Sequence, residues 1–215
     1  MKNFIHHEYP VIKRIDTDNG RLYEVPNGNR YPSVTTVTGK LNEAAIKAWR
    51  DRVGEDEANR ISNRAASRGT QIHELCESFL KGEPLQVDMF NHDMWTSLKP
   101  YVDKIDNIHA LENMLYTDKL EMAGTVDCIG EYNGELSVID FKTAKRPKEE
   151  SKIENYFIQA TAYSLMFEEM YGIKIPNIVI IVGVDDELPQ VFKKKRKDYI
   201  QKLVKLRLNV KNNVL

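Results

Sequence analysis

An Asn-Gly pair at positions 133 and 134 constrains this chain more than any other feature, because it joins two stretches of β-prone residues. Asn-Gly is typical of a two-residue type I′ turn, which connects antiparallel strands in a fixed register. Counting back along both strands from that turn places Asp127 opposite Asp140. We therefore predict a β-hairpin over residues 123–143 in which two carboxylates meet.

Two facing aspartates share one face of a sheet, where like charges destabilise unless something compensates them. A bound cation is the simplest compensation. Lys142 lies two residues beyond Asp140 and projects from the same face. An exposed polar face is the alternative, but Ile129 and Val138 share that face and disfavour it. The opposite face is predicted to be core and carries Val126, Cys128, Ile139 and Phe141.

The hairpin is accompanied by further motifs in a definite order. Asp127, followed thirteen positions later by Asp140-Phe141-Lys142, resembles the PD-(D/E)XK nucleases in their Asp-X-Lys form. His73 ends a Gly-Thr-Gln-Ile-His stretch upstream, and a Gln-X-X-X-Tyr motif follows downstream at residues 159–163. This order is similar to that of the RecB-like exonucleases. The flanks at residues 31–35 and 110–112 are most similar to the mitochondrial genome maintenance exonuclease group.

The resemblance extends from about residue 31 to residue 183 and implies an α/β fold. We expect a mixed, twisted β-sheet flanked by helices, the core typical of PD-(D/E)XK and restriction-endonuclease-like proteins, with an N-terminal β-hairpin and a helical addition. Residues 1–215 are predicted to form a single nuclease domain. Within it, residues 1–40 form the β-rich addition, residues 41–108 a helical region that carries His73, and residues 109–215 the α/β core.

The resemblance also implies a function, a divalent-metal-dependent deoxyribonuclease that acts as an exonuclease on single-stranded DNA ends. Asp127, Asp140, His73 and the main-chain carbonyl of Phe141 are then expected to hold one or two Mg²⁺ or Mn²⁺ ions. Lys142 is expected to position the attacking water and to stabilise negative charge. An endonuclease of the same superfamily and a catalytically inactive DNA-binding module are the two alternatives.

Outside this centre, six residues are predicted to contact DNA: the resemblance implies Ser33, Thr35, Arg68, Gln159 and Tyr163, and the closeness of Lys145 to Lys142 in the sequence favours a phosphate contact by Lys145. Ordinary strand residues, a solvated basic surface and a core stripe explain the same positions without DNA. Periodicity alone makes His73 a structural residue, and the resemblance reverses that interpretation. Glu112 resembles an acidic position that precedes the hairpin in these nucleases, and a charge at a strand edge explains it equally well.

Composition limits the cofactors and the setting. Lys and Arg number 31 against 32 Asp and Glu, so DNA must be bound by local basic clusters and not by a globally basic surface. The two cysteines, Cys76 and Cys128, cannot supply the four thiolates of an iron–sulfur cluster, and we predict that both are core residues. The N-terminus resembles neither a signal nor a transit peptide, and no apolar run is long enough to span a bilayer. We expect a cytoplasmic protein of a bacterium or a phage-infected cell, without membrane contact.

Hydrophobic periodicity predicts the remaining elements. Strands are predicted at residues 11–15, 22–25, 33–38, 111–116 and 177–184, with the first turn at residues 18–20. Helices are predicted at residues 42–49, 56–80 and 153–171, together with one whose face carries Phe90, Met94, Leu98, Tyr101 and Ile105 and which bends at Pro100. The basic run at residues 193–197 is predicted to open a last helix that extends to about residue 210.

Overall fold

The computed structural model describes residues 2–18 and 20–212. The strands are β1 (Lys13–Thr17), β2 (Gly20–Glu24), β3 (Arg30–Pro32), β4 (Ile105–Thr117), β5 (Met122–Tyr132), β6 (Glu135–Ala144), β7 (Asn177–Val184) and β8 (Gln190–Lys195). The helices are α1 (Val34–Gly39), α2 (Glu43–Val53), α3 (Glu55–Lys81), α4 (His92–Val102), α5 (Glu154–Tyr171) and α6 (Ile200–Lys211). Across the described ranges, none of the helices combines the length and the apolar character needed to traverse a bilayer.

The central sheet has five strands in the order β4-β5-β6-β7-β8. Only β6 and β7 run parallel, and the other neighbours are antiparallel. A separate antiparallel sheet of β1, β2 and β3 precedes it, although Asn19 of the predicted first turn lies outside the described residues. The structure therefore confirms the predicted mixed α/β fold, in which helices flank the sheet and a hairpin precedes it.

The hairpin of β5 and β6 has the predicted turn and register. Asn133 and Gly134 both have positive φ values, 52° and 77°, as a type I′ turn requires. The ladder runs from Tyr132, paired with Glu135, to the pair of Cys128 with Ile139. Those five pairs are the ones that counting from the turn predicts.

The ladder ends one pair before the two aspartates, so their predicted direct pairing is wrong. The carboxylate of Asp127 instead accepts the main-chain N–H of Phe141, at 2.8 Å from Oδ2. A buried N–H that leaves a ladder needs another acceptor, and this side chain supplies it. The two strands are thus held together at Asp127 by a side chain and not by the regular backbone pattern.

Both faces of the central sheet are buried. Ile129 and Val138 pack in a core with α1, α5 and α6, whereas Cys128 packs with α3 and α4 on the other face. Val126 joins the core of Ile129, which corrects its predicted place beside Cys128. Cys76 is buried in the same core as Cys128, as predicted.

Of the strand predicted at residues 33–38, Ser33 is extended and residues 34–38 lie in the helix α1. The side chain of Ser33 caps α1 because its Oγ accepts the N–H of Thr36 at 2.9 Å. Serine is a preferred N-cap residue, and this hydrogen bond outweighs the β propensity of the Val and Thr residues that follow. Strand β3 therefore ends at Pro32, immediately before the cap.

The helix predicted from Phe90 to Ile105 is shorter than expected. Phe90 lies before α4 and is 86% exposed, and Ile105 already begins β4. The carboxylate of Asp88 accepts the N–H groups of Phe90 and Asn91, which fixes a turn at this point. Pro100 is accommodated within the last turns of α4.

Both edges of the central sheet are covered or charged. The first three residues of the basic run predicted to open the last helix, Lys193 to Lys195, instead form the second half of β8, because β7 offers a free edge with which they pair; Arg196 and Lys197 follow in a short 3-10 turn. At the other edge, the N-terminal segment adds two hydrogen bonds to β4, from the Ile5 N–H to the Ile108 carbonyl and from the Ile108 N–H to the Asn3 carbonyl. Local periodicity cannot detect such long-range pairing.

Candidate active site

Three side chains from three elements converge above the end of the hairpin ladder. His73 comes from α3, Glu112 from β4 and Asp127 from β5, and one ligand atom of each lies within 4.8 Å of the others. His73 Nδ1 is 3.5 Å from an Asp127 oxygen and 3.9 Å from a Glu112 oxygen. Among the residues that the structure describes, this is the group whose spacing suits a metal ion.

Glu112 is the member of this group that the sequence did not identify as a ligand. Its backbone has a positive φ of 53°, which is rare for a residue with a Cβ atom. The register of β4 on β5 pairs Leu111 with Cys128 and Asn113 with Val126, so Glu112 lies across from Asp127. The two carboxylates that meet across neighbouring strands are therefore those of Glu112 and Asp127.

The hydrogen bonding of His73 fixes how its ring is presented. Its Nε2 lies 2.7 Å from the Phe141 carbonyl, which only accepts, so Nε2 carries the hydrogen. Nδ1 is then the atom that faces the carboxylates of Asp127 and Glu112. The Phe141 carbonyl, expected to be a metal ligand, is engaged by His73.

The electrostatics of the group favour a positive charge at Nδ1. Burial by itself lowers the pKa of His73, but Asp127, Glu112 and Asp140 outweigh burial and raise the pKa to about 9. Nδ1 is therefore protonated at neutral pH when nothing else occupies the position. A divalent cation would compensate the negative charge of these carboxylates in the same way.

Asp140 and Lys142 form a second cluster next to the first. Lys142 Nζ lies 2.5 Å from Asp140 Oδ2, and Gln159 Nε2 donates to Asp140 Oδ1 at 3.0 Å. Burial raises the pKa of Asp140, with Lys142 acting in the opposite direction. Burial lowers the pKa of Lys142, but Asp140 and Asp127 outweigh it and raise the pKa above its ordinary value. Lys142 is thus a cation at neutral pH and has N–H groups to donate.

A pocket of about 290 Å³ opens over both clusters and contains most of the sequence-predicted residues. Its lining includes Ser33, Thr35, His73, Asp127, Lys142, Gln159 and Tyr163, together with Glu112. Arg68 and Lys145 lie outside it and line a second cleft of about 270 Å³, where Arg68 is paired with Asp185 at 2.5 Å. The structure therefore divides the predicted DNA contacts between two openings.

The side chains of Gln159 and Tyr163 are less available to a ligand than the sequence suggested. The amide of Gln159 is occupied by Asp140, and the Tyr163 side chain is 2% exposed in the core beneath the pocket. Gly124 allows this close packing, because a Cβ atom there would lie 3.0 Å from the Tyr163 hydroxyl. The Tyr163 ring is thus buried in the core, although the residue also contributes to the lining of the pocket.

The sequence of the chain matches one protein-family model over most of its length. The model described as the PD-(D/E)XK nuclease superfamily matches residues 46–208, which is most of the chain. The chain belongs to the PD-(D/E)XK nuclease superfamily. The match contains β4, β5 and β6 and all of the side chains of both clusters, and it confirms the fold expected from the resemblance.

Among curated proteins, this superfamily member is similar to proteins named mitochondrial genome maintenance exonuclease 1. The human protein is 27% identical over 204 residues, covering 84% of this chain and 59% of its own length. The mouse protein is 27% identical over 177 residues, covering 75% of this chain and 52% of its own length. The chain thus spans between half and three fifths of the length of these curated relatives.

Among solved structures, the PD-(D/E)XK chain resembles a proposed exonuclease from Eubacterium rectale. The two share 12% sequence identity, and the superposition covers 86% of this chain and 76% of the other. The TM-score is 0.42, a likeness too distant to carry an argument about function.

Proposed function

We propose that this protein is a divalent-metal-dependent deoxyribonuclease that degrades single-stranded DNA from its ends. The observation that carries the proposal is the convergence of His73, Glu112 and Asp127 beside the Asp140–Lys142 pair in one pocket. The mouse and human relatives are named exonucleases, which supports action at DNA ends. Membership of the nuclease superfamily supports DNA as the substrate.

The donor set fits a divalent cation. Carboxylate oxygens suit Mg²⁺, and the added imidazole of His73 suits Mn²⁺ as well. A further buried oxygen, Oδ2 of Asp140, has an ion-pair contact but no hydrogen-bond partner of good geometry among the described residues. We infer that His73, Glu112 and Asp127 hold the ion, with Asp140 at its margin. When bound, a divalent cation supplies Lewis-acid chemistry, polarising the phosphate and making water a better nucleophile.

The residues of the chain supply orientation and charge. Asp140 holds the Lys142 ammonium at the pocket. There the ammonium donates to the phosphate oxygen on which negative charge develops. Gln159 in turn holds Asp140, and the Phe141 N–H holds Asp127. These partners restrict the side chains before substrate arrives, so little reorganisation is needed during hydrolysis.

A digestion assay with end-labelled single strands, blunt duplexes and closed circular single strands tests the proposal. We expect degradation of the linear single strand with Mg²⁺ or Mn²⁺, none with a chelator, and an intact circle. Asp127→Asn and Lys142→Ala should each lower the rate by several orders of magnitude without loss of folding. Lys205→Ala, a change of an exposed lysine outside the pocket, is the matched control and should leave the rate unchanged.

The same assay separates the alternatives. Rapid nicking of the circle would replace the exonuclease with an endonuclease of the same superfamily. DNA binding without turnover of any substrate in either metal would indicate an inactive binding module. Full hydrolysis in the presence of chelator, or full activity of Lys142→Ala, would refute the mechanism.

A further inference from the structure

A groove of about 780 Å³ runs between α2 and residues 145–156, next to the catalytic pocket. One of its walls is formed by Ala45, Ile46 and Trp49, which share a face of α2, and by Asn42 immediately before that helix. The other wall combines Tyr156 and Ile153 with the basic residues Lys145, Arg146, Lys148 and Lys152. Aromatic and basic side chains therefore line the same groove.

The α2 wall is open to solvent. All eleven residues of α2 are described, and none of them is buried. Ile46 is 49% exposed, and Trp49 is partly exposed. An apolar and aromatic face of this kind has surface available for a ligand.

Tyr156 connects this groove with the catalytic pocket. The Nζ atom of Lys142 lies 5.3 Å from the centroid of the Tyr156 ring, within the range of a cation–π contact. Lys142 lines the catalytic pocket, and Tyr156 lines the groove. A DNA strand whose scissile phosphate contacts Lys142 would therefore pass the Tyr156 side chain and enter the groove directly.

The charge of the groove favours a polyanion. Lys152 is paired with Glu149 at 2.7 Å. By contrast, within residues 2–18 and 20–212 no carboxylate lies within 4.0 Å of Lys145 or Arg146. These two cations remain available to phosphates.

We propose that this groove binds the nucleotides next to the scissile phosphate of a single DNA strand, with bases against Trp49 and phosphates on Lys145 and Arg146. The choice of DNA as the occupant rests on the proposed function. A single strand fits better than a duplex because an unpaired base can expose its face to an aromatic side chain, whereas a paired base cannot. The groove thereby gives a physical basis for a preference for single strands.

Tryptophan fluorescence provides a test that does not depend on hydrolysis. The chain has two tryptophans, Trp49 in the groove and Trp95, which is 4% exposed in the core. The full chain carrying Asp127→Asn is titrated in chelator with a twelve-residue oligothymidine and, separately, with a blunt DNA hairpin. We expect the single strand to quench the emission, the hairpin to quench it much less, and Trp49→Phe to remove the response because Trp95 is shielded.

Steady-state kinetics provide the second arm. Trp49→Ala should raise KM for single-stranded DNA by about fivefold or more, since a base–aromatic stack is worth about 1–3 kcal/mol. Its kcat should stay unchanged, and Trp49→Phe should keep most of the affinity. Phe90→Ala is the matched control, because it removes an 86% exposed aromatic side chain outside the groove.

The salt dependence of binding tests the basic wall. Lys145→Gln should lower the slope of log affinity against log salt by about 0.7, the value for one phosphate contact on a single strand. Lys205→Gln should leave the slope unchanged. Equal quenching by hairpin and single strand, or a Trp49→Ala variant with unchanged KM and binding, would overturn the proposed groove even if the enzyme digests DNA. Quenching at Trp49 without hydrolysis of any DNA would support the groove and count against the proposed nuclease activity.

Discussion

Replacing Gln159 by leucine tests whether this residue positions Asp140 or contacts DNA. In the structure Gln159 Nε2 donates to a buried oxygen of Asp140 at 3.0 Å, and leucine cannot replace this hydrogen bond. A hydrogen bond to a charged group is worth about 1.5–3 kcal/mol. If the bond holds Asp140 and Lys142 in their catalytic arrangement, its loss should lower kcat by about 10- to 100-fold.

The assay is steady-state digestion of end-labelled single-stranded DNA at saturating metal, with kcat and KM determined separately. A positioning role lowers kcat and leaves KM nearly unchanged, whereas a DNA contact raises KM. Thr161→Val is the control, because Thr161 is buried on the same helix and its hydroxyl bonds within that helix, to the Phe157 carbonyl. Equal effects of the two substitutions, or a Gln159→Leu variant with a raised KM and an unchanged kcat, would refute the positioning role.

Three further substitutions test the ligand set and the packing. Saturating Mn²⁺ should raise the unfolding temperature, because an ion at 100 times its Kd adds about 2.7 kcal/mol to the free energy of unfolding. Glu112→Gln should remove most of that shift, because it changes one of the three proposed ligands. Glu74→Gln, on the exposed side of α3, is the control and should keep the shift. Gly183→Ala should lower the free energy of unfolding, measured in urea, by about 1–3 kcal/mol, since the new Cβ would lie 2.8 Å from a core leucine methyl group. Gly39→Ala is the control and should show no such loss, because a Cβ at residue 39 would meet open space. Ser33→Ala should cost about 1 kcal/mol in the same assay through loss of the α1 cap, and an unchanged stability would contradict that role.

The sequence predicted the hairpin accurately because a two-residue turn determines register locally. Positive φ at Asn133 and Gly134 follows from their residue types, and the pairing as far as Cys128 follows by counting. The same counting failed at Asp127 because a side-chain hydrogen bond to Phe141 replaces the ladder there. Alternation along a strand contains no information about such an exchange.

Other parts of the fold depend on partners that are distant in sequence. The basic residues of β8 have no strand pattern of their own, and they extend because β7 needs a neighbour. The role of Glu112 was not resolved because the turn between β4 and β5, residues 118–121, has no Asn-Gly pair or similar signal that fixes its length, so counting along the sequence does not set the two strands against each other. The packing of α3 on the sheet places Arg68 beside Asp185 and His73 beside Asp127, and no local pattern in the sequence predicts these two contacts.

The two edges of the central sheet bear on the protein's colloidal behaviour. Unpaired strand edges are templates for association between molecules, and charged side chains or a covering segment block them. In β8 the lysines Lys193, Lys194 and Lys195 would face like charges in a second copy, whereas β4 relies on the hydrogen bonds of residues 3–5. Aggregation should therefore begin at β4 when the N-terminal segment is displaced, and a fusion or truncation at that end would promote fibre-like self-association more than one placed near β8.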